Sequence, residues 1–122
     1  KRGNDFNRKA KDEAWYDFNE VHLENGKRLD GYDHDLGEIV SRKATDFDNI
    51  QLATFEKYLK EIDSKYAPGV IIRSNKYPEI DGQALHGTKI IEVPVSNQNS
   101  SNLEVFEALA NEYNTTIRFR SE

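Results

Sequence analysis

The sequence predicts an α+β domain, and three observations carry that prediction. Asn25-Gly26 separates two short segments of alternating polarity, an apolar stripe of helical spacing runs from Gln51 to Tyr66, and two strand-like runs at 89–93 and 115–120 flank another helical segment. A chain of 122 residues has room for one hydrophobic core, so residues 1–122 are read as a single domain.

The elements follow in order. Asn4 or Asp5 caps a first helix running to about Trp15, with Phe6, Ala10, Ala14 and Phe18 recurring at helical spacing. Val21-His22-Leu23-Glu24 and Lys27-Arg28-Leu29-Asp30 then flank Asn25-Gly26, a two-residue hairpin signal that requires positive φ at both turn positions. His34 to Gly37 reads as the next turn and Glu38 to Lys43 as a third strand, completing a three-stranded antiparallel meander. Asp46 or Asp48 caps a long helix that buries Gln51, Phe55, Tyr58, Leu59, Ile62 and Tyr66 and stops at Pro68-Gly69. Residues 69–87 are mostly loop, with a short strand at Val70-Ile71-Ile72. A fourth strand at 89–93 ends at Pro94, Ser100 or Ser101 caps a helix through Glu112, and Thr115 to Arg120 forms the last strand.

Composition narrows the chemistry. The chain has no cysteine, which removes disulfides, thiolate metal sites and a cysteine nucleophile. His22, His34 and His86 lack the spacing of a zinc site. A net charge of -5 gives no general attraction to nucleic acid, so a role there needs a local basic patch. No apolar run reaches the roughly 20 residues of a membrane span. The chain lacks methionine and starts at Lys1, which reads as a piece of something longer.

The second and third strands hold the candidate site. If His34 to Gly37 form the loop, Asp33 faces Glu38, Tyr32 faces Ile39 and Asp30 faces Ser41. Arg28, Asp30, Ser41 and Lys43 then share one face, with Tyr32 and Ile39 beside them and Leu29, Val40 and Arg42 on the other. Taken on spacing alone, Asp30 and Lys43 are a cross-strand ion pair.

The order helix, three-stranded meander, helix, strand, with Asp on the second strand and Lys on the third, resembles the PD-(D/E)XK restriction-endonuclease fold. Gly26 to Tyr32, Gly37-Glu38-Ile39-Val40-Ser41-Arg42-Lys43, Lys65-Tyr66-Ala67-Pro68-Gly69 and Ile91-Glu92-Val93-Pro94 are similar to restriction-endonuclease-type toxin domains at the C-termini of secreted bacterial polymorphic toxins. The likeness spans most of the chain. It implies a restriction-endonuclease-like core and a metal-dependent nuclease that hydrolyses phosphodiester bonds, with DNA as substrate ahead of RNA. It also implies release as part of a larger contact-dependent toxin, action in the cytoplasm of a target bacterial cell, and a cognate immunity protein as partner.

By position, the resemblance makes Asp30 the metal-binding carboxylate for Mg2+ or Mn2+ and Lys43 the residue that orients or deprotonates water. Ser41 departs from the family pattern, which has an acid there, and a hydroxyl is the weaker ligand for a hard cation. A second carboxylate must come from Glu13, Glu20, Asp33 or Glu38. Glu20 is favoured, although a two-residue hairpin loop puts Val21 opposite Asp30 and leaves Glu20 dependent on a bulge. Gln51 resembles a helix glutamine of some such nucleases, which carry a tyrosine four residues later where this chain has Phe55. Arg28 and Arg42 are the candidate nucleic-acid contacts. An RNase on the same scaffold and a noncatalytic binding module, with Ser41 marking a lost metal site, stand as alternatives.

Overall fold

A computed structural model describes all 122 residues, Lys1–Glu122. In chain order it contains α1 (Arg2–Asp12), β1 (Phe18–His22), β2 (Arg28–Asp33), β3 (Glu38–Arg42), α2 (Leu52–Lys65), β4 (Thr88–Pro94), a short 3-10 helix (Val95–Asn99), α3 (Leu103–Glu112) and β5 (Thr115–Arg120). The architecture is α+β, as the sequence predicts. No helix is long and apolar enough to cross a membrane.

The five strands form one mixed sheet in sequential order, β1-β2-β3-β4-β5. β1, β2 and β3 are antiparallel neighbours, the predicted meander, while β4 runs parallel to both β3 and β5. Parallel neighbours need long crossovers. α2 with residues 66–87 supplies one, and α3 supplies the other.

Along β4 the side chains alternate faces. Ile91 and Val93 pack with Phe47, with Phe55, Leu59 and Ile62 of α2, and with Phe106 and Ala110 of α3. Ile90, on the opposite face, packs with Val40 and Tyr16, and Trp15 leans on that group. The residues between α2 and β4 cover the hairpin end of the sheet, where Ile72, Ile80 and Leu85 join Val21, Leu29, Tyr32 and Ile39. In place of a short strand, Ile71 and Ile72 form isolated bridges to Ala84 and Leu23.

The predicted helix caps are spent elsewhere. Lys1, not Asn4 or Asp5, precedes α1, and the helix ends at Asp12, with Ala14 at φ 52° and Phe18 already in β1. α2 starts at Leu52 because Asp46 is drawn into an ion pair with Arg2, at 2.8 Å, and Asp48 accepts the Ser100 hydroxyl at 2.6 Å. Ser100 in turn closes the 3-10 helix, and Asn102 precedes α3. For α2 a tertiary partner of each candidate cap outcompetes the local capping bond, which is worth only about 1 kcal/mol, whereas Asn4 and Asp5 lie inside α1 and Ser100 still accepts the Asn102 N–H at 3.0 Å.

Candidate active site

The hairpin loop sets the site's register. Only Gly26 adopts positive φ, at 80°, and Asn25 does not. The loop therefore holds three residues, Glu24, Asn25 and Gly26, closed by Leu23 N–H donating to the Lys27 carbonyl at 2.9 Å and Gly26 N–H donating to the Leu23 carbonyl at 3.0 Å. This is a type I turn followed by a left-handed glycine. The extra loop residue moves the register by one: Asn19 pairs with Gly31 and Val21 with Leu29, which leaves Glu20 and Asp30 at the unpaired position between those two pairs.

Glu20 itself takes φ 54°, and the strict alternation of side chains breaks at this level. Phe18 and Val21 on β1, like Leu29 and Tyr32 on β2, stand three apart yet reach the same apolar cluster. The expectation that Leu29 points away from the Tyr32 face is thus overturned. On β1 the left-handed Glu20 resets the two-residue period.

Between β2 and β3 the predicted pairs hold, with Tyr32 opposite Ile39 and Asp33 opposite Glu38, but the ladder ends at Gly31 and Val40. Beyond that point the Asp30 carboxylate accepts the Arg42 backbone N–H at 2.7 Å. A strand N–H lies in the plane of the sheet, so Asp30 occupies the fork where the two strands part. It forms that hydrogen bond and no salt bridge. Burial pushes its carboxyl above the ordinary carboxylate range, and the Arg42 N–H and the charges of Arg42, Lys43 and Arg28 oppose the shift. Burial also raises the Tyr66 hydroxyl, helped by the nearby charges of Asp30 and Glu61.

The other predicted residues divide into two groups. Arg28 stands 3.9 Å from Glu20. Ser41 is buried at 4% exposure. Lys43, half-buried, places its ammonium 4.9 Å from the Tyr58 ring centre and 3.9 Å from Glu61 on α2. Gln51 is no part of the apolar stripe: it is exposed, in extended backbone at the N-cap of α2. Among the remaining acids, Glu13 accepts the Trp15 indole N–H, Asp33 accepts the Leu36 N–H, and Glu38 pairs with Arg118 at 2.6 Å.

Arg42 requires a correction. Its side chain is only 2% exposed and donates to Glu92 at 2.6 Å, so it does not present itself as a surface phosphate contact. Its guanidinium lies near the rings of Phe6, Trp15 and Tyr16. Glu92, fully buried, also accepts from Tyr16 and from Arg120. The sequence hides this pairing because it depends on Arg42 lying beside Glu92 in the parallel β3–β4 register.

A cavity of about 280 Å³ opens at the fork, and no apolar side chain lines it. Asp30, Glu20, Arg28, Arg42 and Asn19 form the sheet side. The other wall is α1, through Asn4, Asn7, Arg8 and Lys11. These four stand at i, i+3, i+4 and i+7, a helical stripe that is visible in the sequence but eclipsed by the apolar Phe6 and Ala10 stripe beside it. Lys43, Ser41 and Gln51 do not line the cavity. Glu61, the acid nearest the Lys43 ammonium, gave no signal in the sequence beyond an ordinary i,i+4 pairing with Lys65.

No group of three or more His, Cys, Asp or Glu side chains gathers in the protein, so an all-protein cage for Zn2+ or Ca2+ has no counterpart here. Mg2+ makes a smaller demand. It keeps several waters and takes one or two carboxylates together with substrate phosphate. Asp30 and Glu20 are the two carboxylates that line the cavity and could serve in that way, and a desolvated carboxylate without an ion-pair partner gains most from a cation. Comparison with protein-family models, curated proteins and solved structures finds no match.

Proposed function

We propose that this chain is a divalent-metal-dependent nuclease domain of the restriction-endonuclease-like kind. The observation that carries the proposal is the Asp30 carboxylate at the fork of β2 and β3, part-buried, without a salt-bridge partner, and lining with Glu20 a cavity of mixed cations and acids. The motif likeness from Gly37 to Lys43 supports it, as does the helix, meander, helix, strand order.

Asp30 and Glu20 would hold Mg2+ or Mn2+, which when bound supplies Lewis-acid polarisation of a phosphoryl oxygen. The chain's own residues do the rest. The Arg42 N–H fixes Asp30 in one orientation, so the carboxylate needs no reorganisation. Lys43, the residue immediately after β3, carries an ammonium whose charge is felt at Asp30. Turned from Tyr58 and Glu61 toward the fork, it donates a hydrogen bond to the attacking water. Water oxygen would join phosphorus as the bond to the leaving sugar oxygen breaks, the water giving up a proton to solvent and the leaving oxygen taking one from solvent. Ser41 is too deeply buried to replace the family's second acid, which leaves that task to Glu20. DNA is the proposed substrate, and the toxin likeness supports a cognate immunity protein as the natural inhibitor.

The test is direct. The purified domain is incubated with supercoiled plasmid and with transfer RNA, with Mg2+ or with chelator, beside Asp30→Asn and Lys43→Ala. Cleavage of plasmid that needs the metal and falls at least about 1,000-fold in Asp30→Asn is expected. Full activity in Asp30→Asn, or no cleavage of either substrate, defeats the proposal.

A further inference from the structure

The α1 wall of the cavity has no part in holding a cation, and its chemistry is that of an anion site. Arg8 and Lys11 project from one helical stripe, beside Asn4 and Asn7. Lys11 forms no ion pair, and Arg8 has only an exposed contact with Asp5 at 3.4 Å. Other cations of the same helix are committed elsewhere, Arg2 to Asp46 and Glu122, and Lys9 to Glu13. In a chain of net charge -5, the cavity gathers Arg8, Lys11, Arg28 and Arg42 against two carboxylates.

A second observation points the same way. The protein has two buried side-chain atoms without a hydrogen-bond partner, Arg42 Nη2 and Asn19 Oδ1, and both belong to residues that line this cavity. Arg42 Nη1 donates to Asn7 Oδ1 at 3.1 Å. That bond fixes the Asn7 amide so that its Nδ2 is left as a free donor. Buried polar groups are nearly always satisfied, so the unmet Arg42 Nη2 donor, near the unpaired Lys11 and the exposed Arg8, marks a place where an oxyanion docks, while Asn19 Oδ1 is an acceptor and calls for a donor instead.

We infer that the α1 wall seats one backbone phosphate of the nucleic acid, held by Arg8, Lys11 and the Asn7 amide, next to the carboxylates at the fork. The inference rests on the nuclease reading for the identity of its ligand. It adds a substrate-positioning surface that is independent of metal. Phosphate oxygens match the fork of an arginine and the donors of an amide, and such contacts position a substrate without reading its sequence.

The experiment measures binding in chelator, where no cleavage occurs. Fluorescence anisotropy follows a labelled duplex DNA of 12 base pairs as salt is varied. The variant is Arg8→Ala/Lys11→Ala, two exposed helix positions at which alanine favours the fold. Its control is Lys57→Ala/Lys60→Ala, which removes the same charge from the exposed side of α2. The α1 variant is expected to bind about tenfold more weakly, and the slope of log affinity against log salt to fall by about 0.9, the value for one phosphate contact. The control is expected to stay within about twofold. Equal losses in both variants, an unchanged α1 variant, or no binding of the wild type overturns the inference. Metal-dependent cleavage with an unaffected α1 variant would leave the nuclease proposal standing and remove only this one, whereas α1-dependent binding without cleavage would do the reverse.

Discussion

Replacing Asp30 in two ways separates its structural task from its chemical one. Asp30→Asn keeps an oxygen that can accept the Arg42 N–H, now at 2.7 Å from the carboxylate, and removes a charge that burial disfavours. Asp30→Ala leaves that N–H without its acceptor, a loss of about 1–3 kcal/mol for a buried donor. Alanine should therefore be less stable than asparagine by about that amount, near 3–6 °C in melting temperature per kcal/mol for a domain of this size. The sign of the pH effect follows from the raised carboxyl. The folded state holds the proton more tightly than the unfolded chain, so this group's contribution to stability falls as pH rises from the ordinary carboxylate range through the folded value. Asp30→Asn should remove that decline. Urea melts of the wild type and both variants between pH 4 and pH 8 read all of this at once. Mg2+ should raise the wild-type midpoint by mass action and leave both variants unmoved. Equal destabilisation by Asn and Ala, or the same Mg2+ response in all three proteins, would refute the placement of Asp30.

Three further outcomes are expected. Gly31→Ala should destabilise by about 1–3 kcal/mol, because a Cβ there would come within 2.7 Å of the Tyr16 ring in a packed interior; chemical denaturation measures it. Glu92→Gln removes the buried negative charge facing Arg42 and Arg120 and should cost about 3–5 kcal/mol, the range for breaking a buried pair from one side, seen as a lower urea midpoint. Glu38 is held below the usual carboxylate range by its hydrogen bonds with Arg118. Its stabilisation is present above the ordinary glutamate value and lost as pH falls through the folded one, so Arg118→Met should flatten the acid limb of the stability profile.

The strand order of the meander, the Tyr32–Ile39 register and the last strand were all legible, because alternation, turn residues and β-branching are local signals. The site was legible in part. Asp30 and Glu20 line the same cavity, brought there by a different hairpin register from the one the sequence suggests. Asn25-Gly26 reads as a two-residue turn, and the choice between two and three residues depends on whether Asn25 joins Gly26 in the left-handed region. That choice moves Glu20 to the unpaired position, shared with Asp30, between the Asn19–Gly31 and Val21–Leu29 pairs. Arg42 was misplaced because its burial depends on Glu92, 50 positions away and adjacent only once β4 lies parallel to β3. The α1 stripe was passed over for a related reason. Asn4, Asn7, Arg8 and Lys11 look like a solvated face until the fork of the sheet is placed beneath them.

The most direct measurement is paramagnetic broadening by Mn2+ in a nitrogen-15 amide spectrum of the folded domain. Cation held by Asp30 and Glu20 should broaden the amides of Glu20, Asp30 and Arg42 first, spare those of Glu107 and Asn111 on α3, and lose that pattern in Asp30→Asn. Broadening that centres instead on the cavity lined by Asp17, Asp35 and Glu79, or that persists unchanged in Asp30→Asn, would contradict a metal site at the fork.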